Sequence, residues 1–287
     1  MSNCYKTETL YFDKGLFDSC VDITYVITMV NSPRNEKIFK EINKYKPTKK
    51  VIVLYNTGFK NCKKKMCNKN LNDSNIDLIH AYKYIFNNSS QYNNILILED
   101  DAEFSDEILN QVHINNIENF INNNNYNTYS LGSIKYISSP IGTHQRIFLK
   151  CGTHSIIYSK KFREEFNECQ NTNIDLLTEA PYNMNGWGYY KTLVGQVWEE
   201  TENSKNWAYG VGILQPLYYH FTKDNCIQGI ETMNLILRIL QLLILLLIFY
   251  WIYLSLNNSL NNSLNNTLKN SLNNSLNNSL KSFKKIF

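Results

Sequence analysis

Apolar residues along this chain fall into three kinds of run, and each predicts a different element. Short runs of β-branched and aliphatic residues predict strands at 22–30, 51–55 and 95–98, and 152–159 reads as a turn and another strand. Runs with apolar positions at i, i+3, i+4 and i+7 predict helices. One spans about 76–86, with Leu78, Ile79, Tyr82, Ile85 and Phe86 on one face, and another about 106–122 behind an N-cap at Ser105. Ser32 is placed to cap a helix with Pro33 at its first position, running to Tyr45 and closed by Pro47. Strand 22–30, this helix and strand 51–55 have the spacing of a parallel βαβ unit. Residues 129–132 read as a short strand and turn, 146–151 as an alternating strand, 160–169 as a helix and 173–177 as a short helix or turn. Residues 180–210 are rich in Gly, Trp and Tyr, and 210–220 end in a strand-like apolar run.

The third kind of run is continuous. Residues 235–254 are almost wholly apolar, with Arg238 and Gln241 near the start. About 20 such residues suffice to cross a bilayer, and Arg238 lies close enough to the end to snorkel. Beyond it, Ser-Leu-Asn-Asn repeats with period four, which drifts against the 3.6 residues of a helical turn and predicts a disordered tail or a weak helix. Asn257, Asn261, Asn265, Asn273 and Asn277 each begin an Asn-x-Ser/Thr sequon there. The expected organisation is a leader (1–21), a catalytic-type domain (22–222), a linker (223–234), a transmembrane helix (235–254) and a low-complexity tail (255–287). Lys223 and Arg238 mildly favour a cytosolic globular domain.

The run at 95–98 changes the picture, because Ile95-Leu96-Ile97-Leu98 leads straight into Glu99-Asp100-Asp101. An apolar run without polar alternation suits a strand covered on both faces, and ligands of such sheets bind beyond the strands' carboxyl ends. Three adjacent carboxylates repel one another there. A hard divalent cation that also meets substrate phosphates would offset that cost, whereas a plain acidic helix start explains only Asp106 and Glu107. The expected fold class is therefore α/β, a mostly parallel sheet flanked by helices and followed by one C-terminal transmembrane helix.

Composition adds limits. The net charge of +4 carries no nucleic-acid footprint, and Lys60, Lys63, Lys64, Lys65 and Lys69 read as a solvated basic loop. Seven cysteines at irregular spacing display no disulfide framework, and Cys62 and Cys67 lack a second pair for zinc. The polar start, 1–9, has no apolar core of a cleaved signal.

Four motifs in order resemble glycosyltransferase family 25, which includes lipopolysaccharide and collagen-type sugar transferases. Leu96-Ile97-Leu98-Glu99-Asp100-Asp101-Ala102 resembles its hydrophobic-Leu-Glu-Asp-Asp pattern, and Gly152-Thr153-His154-Ser155-Ile156-Ile157-Tyr158-Ser159-Lys160-Lys161 its Gly-Thr-x-Ala-Tyr-x-x-Ser-Arg element. Ile174-Asp175-Leu176-Leu177 resembles Val-Asp-x-x-Leu, and Leu214-Gln215-Pro216-Leu217 the closing Val-x-Pro. The family's opening arginine pair is absent, and Arg34 stands in for it. The resemblance covers about 22–220 and implies a GT-A fold, a Rossmann-like sheet that takes a nucleotide-sugar.

It also implies roles. Glu99 and Asp101, with His220 as a late additional ligand, would hold Mn2+ or Mg2+. Arg34, Glu99, Asp100 and His154 would meet the donor, expected to be a UDP-sugar. Asp175, with Glu179 in reserve, would take the proton of a hydroxyl on a glycan or protein acceptor. The alternative is a catalytically degenerate relative serving as a membrane-anchored binding or scaffold protein. A metal-dependent phosphotransferase or nuclease would also need an acid cluster, but no Gly-rich phosphate loop accompanies this one.

Overall fold

The computed structural model describes residues 4–66, 69–166, 185–197 and 215–283. Its centre is a strand buried on both faces, β2 (Ile23–Met29). It lies between β3 (Lys50–Asn56) and β6 (Asn94–Glu99), parallel to both. Alternate side chains leave these strands in opposite directions, so two cores form. Val26, Val53, Leu96 and Leu98 meet Ile38 and Ile42 of α1 (Asn35–Tyr45) and Ile114 and Ile117 of α3 (Gln111–Asn123). On the other face Ile23, Ile27, Ile95 and Ile97 meet Ile79, Tyr82 and Phe86 of α2 (Ser74–Asn87) and Phe162 of α4 (Lys160–Glu165). Each such fully buried aliphatic side chain contributes roughly 1.5–3 kcal/mol.

The sheet is mixed rather than mostly parallel. Beyond β6 its order continues through β11 (Ser155–Ser159), β8 (Thr128–Ser130), β12 (Gly186–Tyr189), β10 (His144–Cys151) and β9 (Ile134–Ser138). Parallel pairing is confined to β3–β2–β6 and β8–β12, and the other neighbours run antiparallel. The strands β10 and β11, joined through Gly152–His154, run in the same direction, against that of β2 and β6, with β8 and β12 lying between them in the sheet. Smaller pairs join β4 (Lys65–Met66) to β5 (Lys69–Asn70), and β7 (Ala102–Phe104) to β13 (Val194–Gln196). The strands β9, β12 and β13 lie in stretches that lack a clean alternating pattern, which is why the sequence did not predict them.

Several expected boundaries move. The leader is part of the sheet: β1 (Tyr5–Tyr11) pairs antiparallel with β3, and Phe17 is fully buried. The Asp18 carboxylate holds the following loop by accepting from the Gly15 and Lys49 amides. Helix α1 starts two residues later than expected, with Arg34 at its N-cap position and no side-chain cap there; the Ser32 hydroxyl accepts from the Arg34 amide and donates to Asp100. The helix expected over 106–122 is a 3-10 turn, Asp106–Leu109, and then α3. Asn110 separates them and caps the second by accepting from the Val112 amide. The apolar run ending at His220 is helical, α5 (Gln215–Thr222).

The basic loop is only partly solvated. Lys64 is buried, over the Tyr5 ring, and donates to Asp77 Oδ1 at 2.5 Å and to Asn56 Oδ1. Beside it Cys4 and Cys62 form a disulfide that the irregular cysteine spacing did not reveal.

The chain divides into two compact units, residues 1–238 and 239–287. Helix α6 (Cys226–Phe283) begins in the first. The stretch expected as a linker is helical there, with Ile230 and Met233 buried against Ile134 and Tyr136 of β9. The Asn234 side chain accepts from the Lys135 amide and donates to the Ser133 carbonyl. In the second unit the expected span and the repeat tail are helical, and the apolar segment is exposed, long enough and apolar enough to cross a membrane.

Two predictions follow from this framework. The Cys4–Cys62 bridge closes a loop across a separation of 58 residues, for which chain entropy sets a stabilisation of about 4 kcal/mol. Cys62→Ser should lower the melting temperature in non-reducing buffer and abolish the drop that reductant causes in the parent chain. The second concerns Lys135, whose ammonium donates to Gln145 Oε1 at 3.1 Å and to the Tyr189 carbonyl. Burial, and then the Arg238 charge, pull it from 10.5 down to about 7. Between these values the unfolded chain carries a proton that the folded chain lacks, so stability rises with pH across that window and this contribution is flat below it. Thermal melts from pH 6.5 to pH 10 should show that rise in the parent and a flatter profile in Lys135→Met.

Candidate functional site

The carboxyl ends of β3, β2 and β6 lie side by side, at Asn56, Met29 and Glu99. The three carboxylates, of which Glu99 and Asp101 were expected to hold a cation and Asp100 to meet the donor, leave β6 toward different partners. Glu99 Oε1 accepts from the Tyr82 hydroxyl at 3.0 Å and from the Thr153 hydroxyl. Burial, followed by the nearby Asp101 charge, pushes its carboxyl up.

Asp100 is turned toward the start of α1. Its Oδ2 accepts from the hydroxyls of Thr28 at 2.9 Å and Ser32 at 2.6 Å, and its Oδ1 meets Arg34 Nη2 at 2.9 Å. Arg34 also reaches Asp101 Oδ2 through Nη1, at 3.5 Å. One planar guanidinium thus bridges two adjacent aspartates, a task that suits arginine's fork of donors. Charge compensation expected from a metal is here supplied at least in part by the chain itself.

Asp101 is held from a second side. Strand β13 pairs with β7, placing Gln196 opposite Ala102, and the Val197 amide donates to the Asp101 carbonyl at 2.9 Å. The Gln196 amide then donates to Asp101 Oδ2 at 3.0 Å. Burial raises the Asp101 carboxyl, and the Arg34 charge opposes that shift. Its second oxygen, Oδ1, is buried with no hydrogen-bond partner among the described residues.

His154, expected to meet the donor, lies close to this arrangement and is buried. Its Nε2 is 3.1 Å from the Val194 carbonyl, so Nε2 must carry the proton and Nδ1 is left as an acceptor. Burial pulls the ring down to about 4, keeping it neutral. Gly152, at φ +97°, fits close to the ring: a Cβ there would lie 3.0 Å from His154 Nδ1 and 3.5 Å from Gln196 Oε1. His154 Nδ1 and Gln196 Oε1, like Asp101 Oδ1, are buried acceptors without a hydrogen-bond partner among the described residues.

The expected ligand set is therefore not assembled as such. His220 is exposed on α5, and among the described residues no three His, Cys, Asp or Glu side chains form a cation site. Asp101 fits a cation by its unpartnered oxygen, Glu99 is engaged elsewhere, and Asp100 is paired. Asp175 and Glu179, expected as base and reserve, lie outside the described residues. Thr28, Ser32, Tyr82, Thr153 and Gln196 were not expected at the site: Ser32 was read as a helix cap and Tyr82 as a packing residue. Thr153 sat inside a motif already noted, and Thr28 lay within an expected strand. Gln196 came with no signal, because its strand was not predicted.

If Arg34 is the counterion of this corner, Arg34→Ala leaves two largely buried carboxylates facing each other. The expected loss is about 3 kcal/mol, read as a fall in melting temperature at neutral pH. Arg34→Lys should recover only part of it, since one ammonium does not reproduce the two-pronged contact. An unchanged melting temperature in Arg34→Ala would show that the pairing carries no structural weight.

No family model and no curated protein matches the chain. Among solved structures, the crystal structure of A197 from STIV is similar at a TM-score of 0.35 and 11% identity, over 63% of this chain and 86% of that one. A likeness at that level carries no argument about fold or activity.

Proposed function

We propose that this chain is a membrane-anchored glycosyltransferase of the GT-A type. In this reading it moves a sugar from a nucleotide-sugar, a UDP-sugar in the first instance, to a hydroxyl of a glycan or protein. The observation that carries the reading is Asp101, a buried carboxylate beyond the carboxyl end of a parallel strand with one oxygen left unpartnered. Mn2+ or Mg2+ held by Asp101 would supply charge stabilisation for the departing diphosphate. Arg34 pairs with both Asp100 and Asp101, and Gln196 fixes the Asp101 carboxylate. Tyr82 and Thr153 hold Glu99 out of that role. Asp175, with Glu179 behind it, remains the proposed base on the strength of the family resemblance.

A second reading has its own support. Arg34 already pairs with both aspartates, so the corner is stable without a cation and suits a degenerate relative that serves as an anchored binding protein. The membrane attachment belongs to both readings and rests on the apolar segment of α6. The Cys4–Cys62 disulfide favours an oxidising compartment for the globular unit, against the mild cytosolic preference of Lys223 and Arg238.

The deciding experiment is a thermal-shift and calorimetry series on the full chain in detergent, with UDP-sugars and Mn2+ added singly and together. The transferase reading expects stabilisation only when both are present, amounting to about 2.7 kcal/mol at a hundredfold excess over Kd, and sugar transfer that Asp101→Asn abolishes. Transfer unchanged in Asp101→Asn would sink the role of Asp101. No nucleotide-sugar binding with Mn2+ present would favour the binding-protein reading.

A further inference from the structure

Three buried acceptors gather where β13 meets the end of β6 and the turn before β11. Asp101 Oδ1, His154 Nδ1 and Gln196 Oε1 have no hydrogen-bond partner among the described residues, and all three residues are more than nine-tenths buried. They are neighbours. Gln196 Nε2 donates to Asp101 Oδ2 at 3.0 Å. A Cβ on Gly152 would lie 3.0 Å from His154 Nδ1 and 3.5 Å from Gln196 Oε1, so both atoms border the space that this glycine leaves. Each buried polar atom left unpaired costs about 1–3 kcal/mol, and three side by side call for a common occupant.

Each side chain is tied at its other end. His154 Nε2–H donates to the Val194 carbonyl at 3.1 Å, which fixes the tautomer with a lone pair on Nδ1. Metal-bound imidazoles commonly make this same bond from the far nitrogen to a backbone carbonyl. Asp101 Oδ2 is held by Gln196 and faces Arg34 Nη1 at 3.5 Å, which leaves Oδ1 as the available oxygen. Gln196 has its amide nitrogen engaged on Asp101 and offers only its carbonyl oxygen. A single water has two hydrogens to give and would leave one of the three acceptors unpaired. A proton on His154 Nδ1 is opposed by burial and by the Lys150 charge. A divalent cation takes all three lone pairs at once, at about 2.0–2.2 Å from each nitrogen or oxygen donor.

From this geometry we infer that Asp101 Oδ1, His154 Nδ1 and Gln196 Oε1 are the protein ligands of a divalent first-row transition-metal ion, Mn2+ in preference to Mg2+. The imidazole makes the selection, because a ring nitrogen suits transition ions, whereas carboxylate, carbonyl and water alone suit Mg2+. Arg34 and Lys150 place positive charge nearby, so the ion is held only while all three donors act together. The inference rests on the proposal that Asp101 takes a cation, and it sets Gln196 and His154 in the places that the sequence offered to Glu99 and His220.

The test is a Mn2+ titration of the full chain in detergent, followed by electron paramagnetic resonance. Loss of the free-ion signal reads binding, and pulsed detection of nitrogen coupling reads a directly bound imidazole. The parent is expected to bind one Mn2+ per chain, with a nitrogen coupling that changes when the protein carries nitrogen-15 histidine. His154→Gln keeps a donor for the Val194 carbonyl and removes Nδ1, and Gln196→Leu removes Oε1 along with the amide that holds Asp101. Each should weaken Mn2+ by at least the roughly tenfold that loss of an outer-shell partner costs, His154→Gln should lose the nitrogen coupling, and Asp101→Asn should abolish binding. Melting temperatures without metal check that each variant is folded, and the labelled parent reports the imidazole without any substitution. Mn2+ bound without nitrogen coupling, unaffected by His154→Gln and Gln196→Leu, or displaced by equimolar Mg2+, overturns this ligand set and leaves Asp101 as a cation ligand. Binding that survives Asp101→Asn, or no binding by the folded parent, overturns the inference together with the cation proposed at Asp101. The full expected pattern without any sugar transfer upholds the metal site and removes only the transferase reading.

Discussion

The arrangement depends on how negative charge is held at the end of a buried strand. β6 is covered on both faces by α1, α2, α3 and α4, and such burial continues almost to its last residue. Three carboxylates in succession would there meet low dielectric and one another, a combination that favours protonation or disruption. The chain separates them. Glu99 is directed to two hydroxyls, and Asp100 and Asp101 share one guanidinium. Because Arg34 stands at the N-cap position of α1, this ion pair also fixes where α1 begins.

The same corner joins parts far apart in sequence. Asp100 is bound by the end of β2 through Thr28 and by the following turn through Ser32. Asp101 is bound through its backbone and its side chain to the segment around β13, almost a hundred residues later. The antiparallel strand β11 lies directly against β6, and its preceding turn supplies both the Thr153 hydroxyl and the carbonyl of His154, which accepts from the Glu99 amide. The antiparallel neighbour that makes the sheet mixed is therefore also what keeps Glu99 apart from its two acidic neighbours.

Periodicity made the first half of the chain legible. Apolar and β-branched runs marked β2, β3 and β6, and the 3.6 pattern marked α2, because burial on two faces or one face leaves those periods in the sequence, whereas the Asp73 cap that starts α2 was not read from it. The second half was less legible. Strand β12 reads Gly-Trp-Gly-Tyr and β13 only Val-Gly-Gln, too short and too glycine-rich to display alternation. Their pairing is set by tertiary contacts, and Gln196 was missed with them. The acid cluster itself was recognised, but its partners were not. A sequence displays carboxylates side by side and hides an arginine 66 residues earlier that folds back onto them. The disulfide was hidden for the same reason, since Cys4 and Cys62 meet only because β1 pairs with β3.

Membrane topology links the remaining features. A single span at 235–254 would place everything before it and everything after it on opposite faces of the bilayer. The Cys4–Cys62 disulfide persists where thiols are oxidised, and attachment of glycans to Asn257, Asn261, Asn265, Asn273 or Asn277 also belongs to the lumenal side in cells that perform it. One span cannot place both there. On the proposed anchored reading, a globular unit on the oxidising side would leave the sequons of the repeat tail in the reducing cytosol and bare. Their regular spacing then reflects the Ser-Leu-Asn-Asn period of the repeat rather than selection for modification. For that proposed reading the disulfide weighs more than the sequons, because it lies in the packed unit, whereas the sequons lie in a low-complexity segment where any Asn-Asn-Ser or Asn-Asn-Thr step creates one by composition alone.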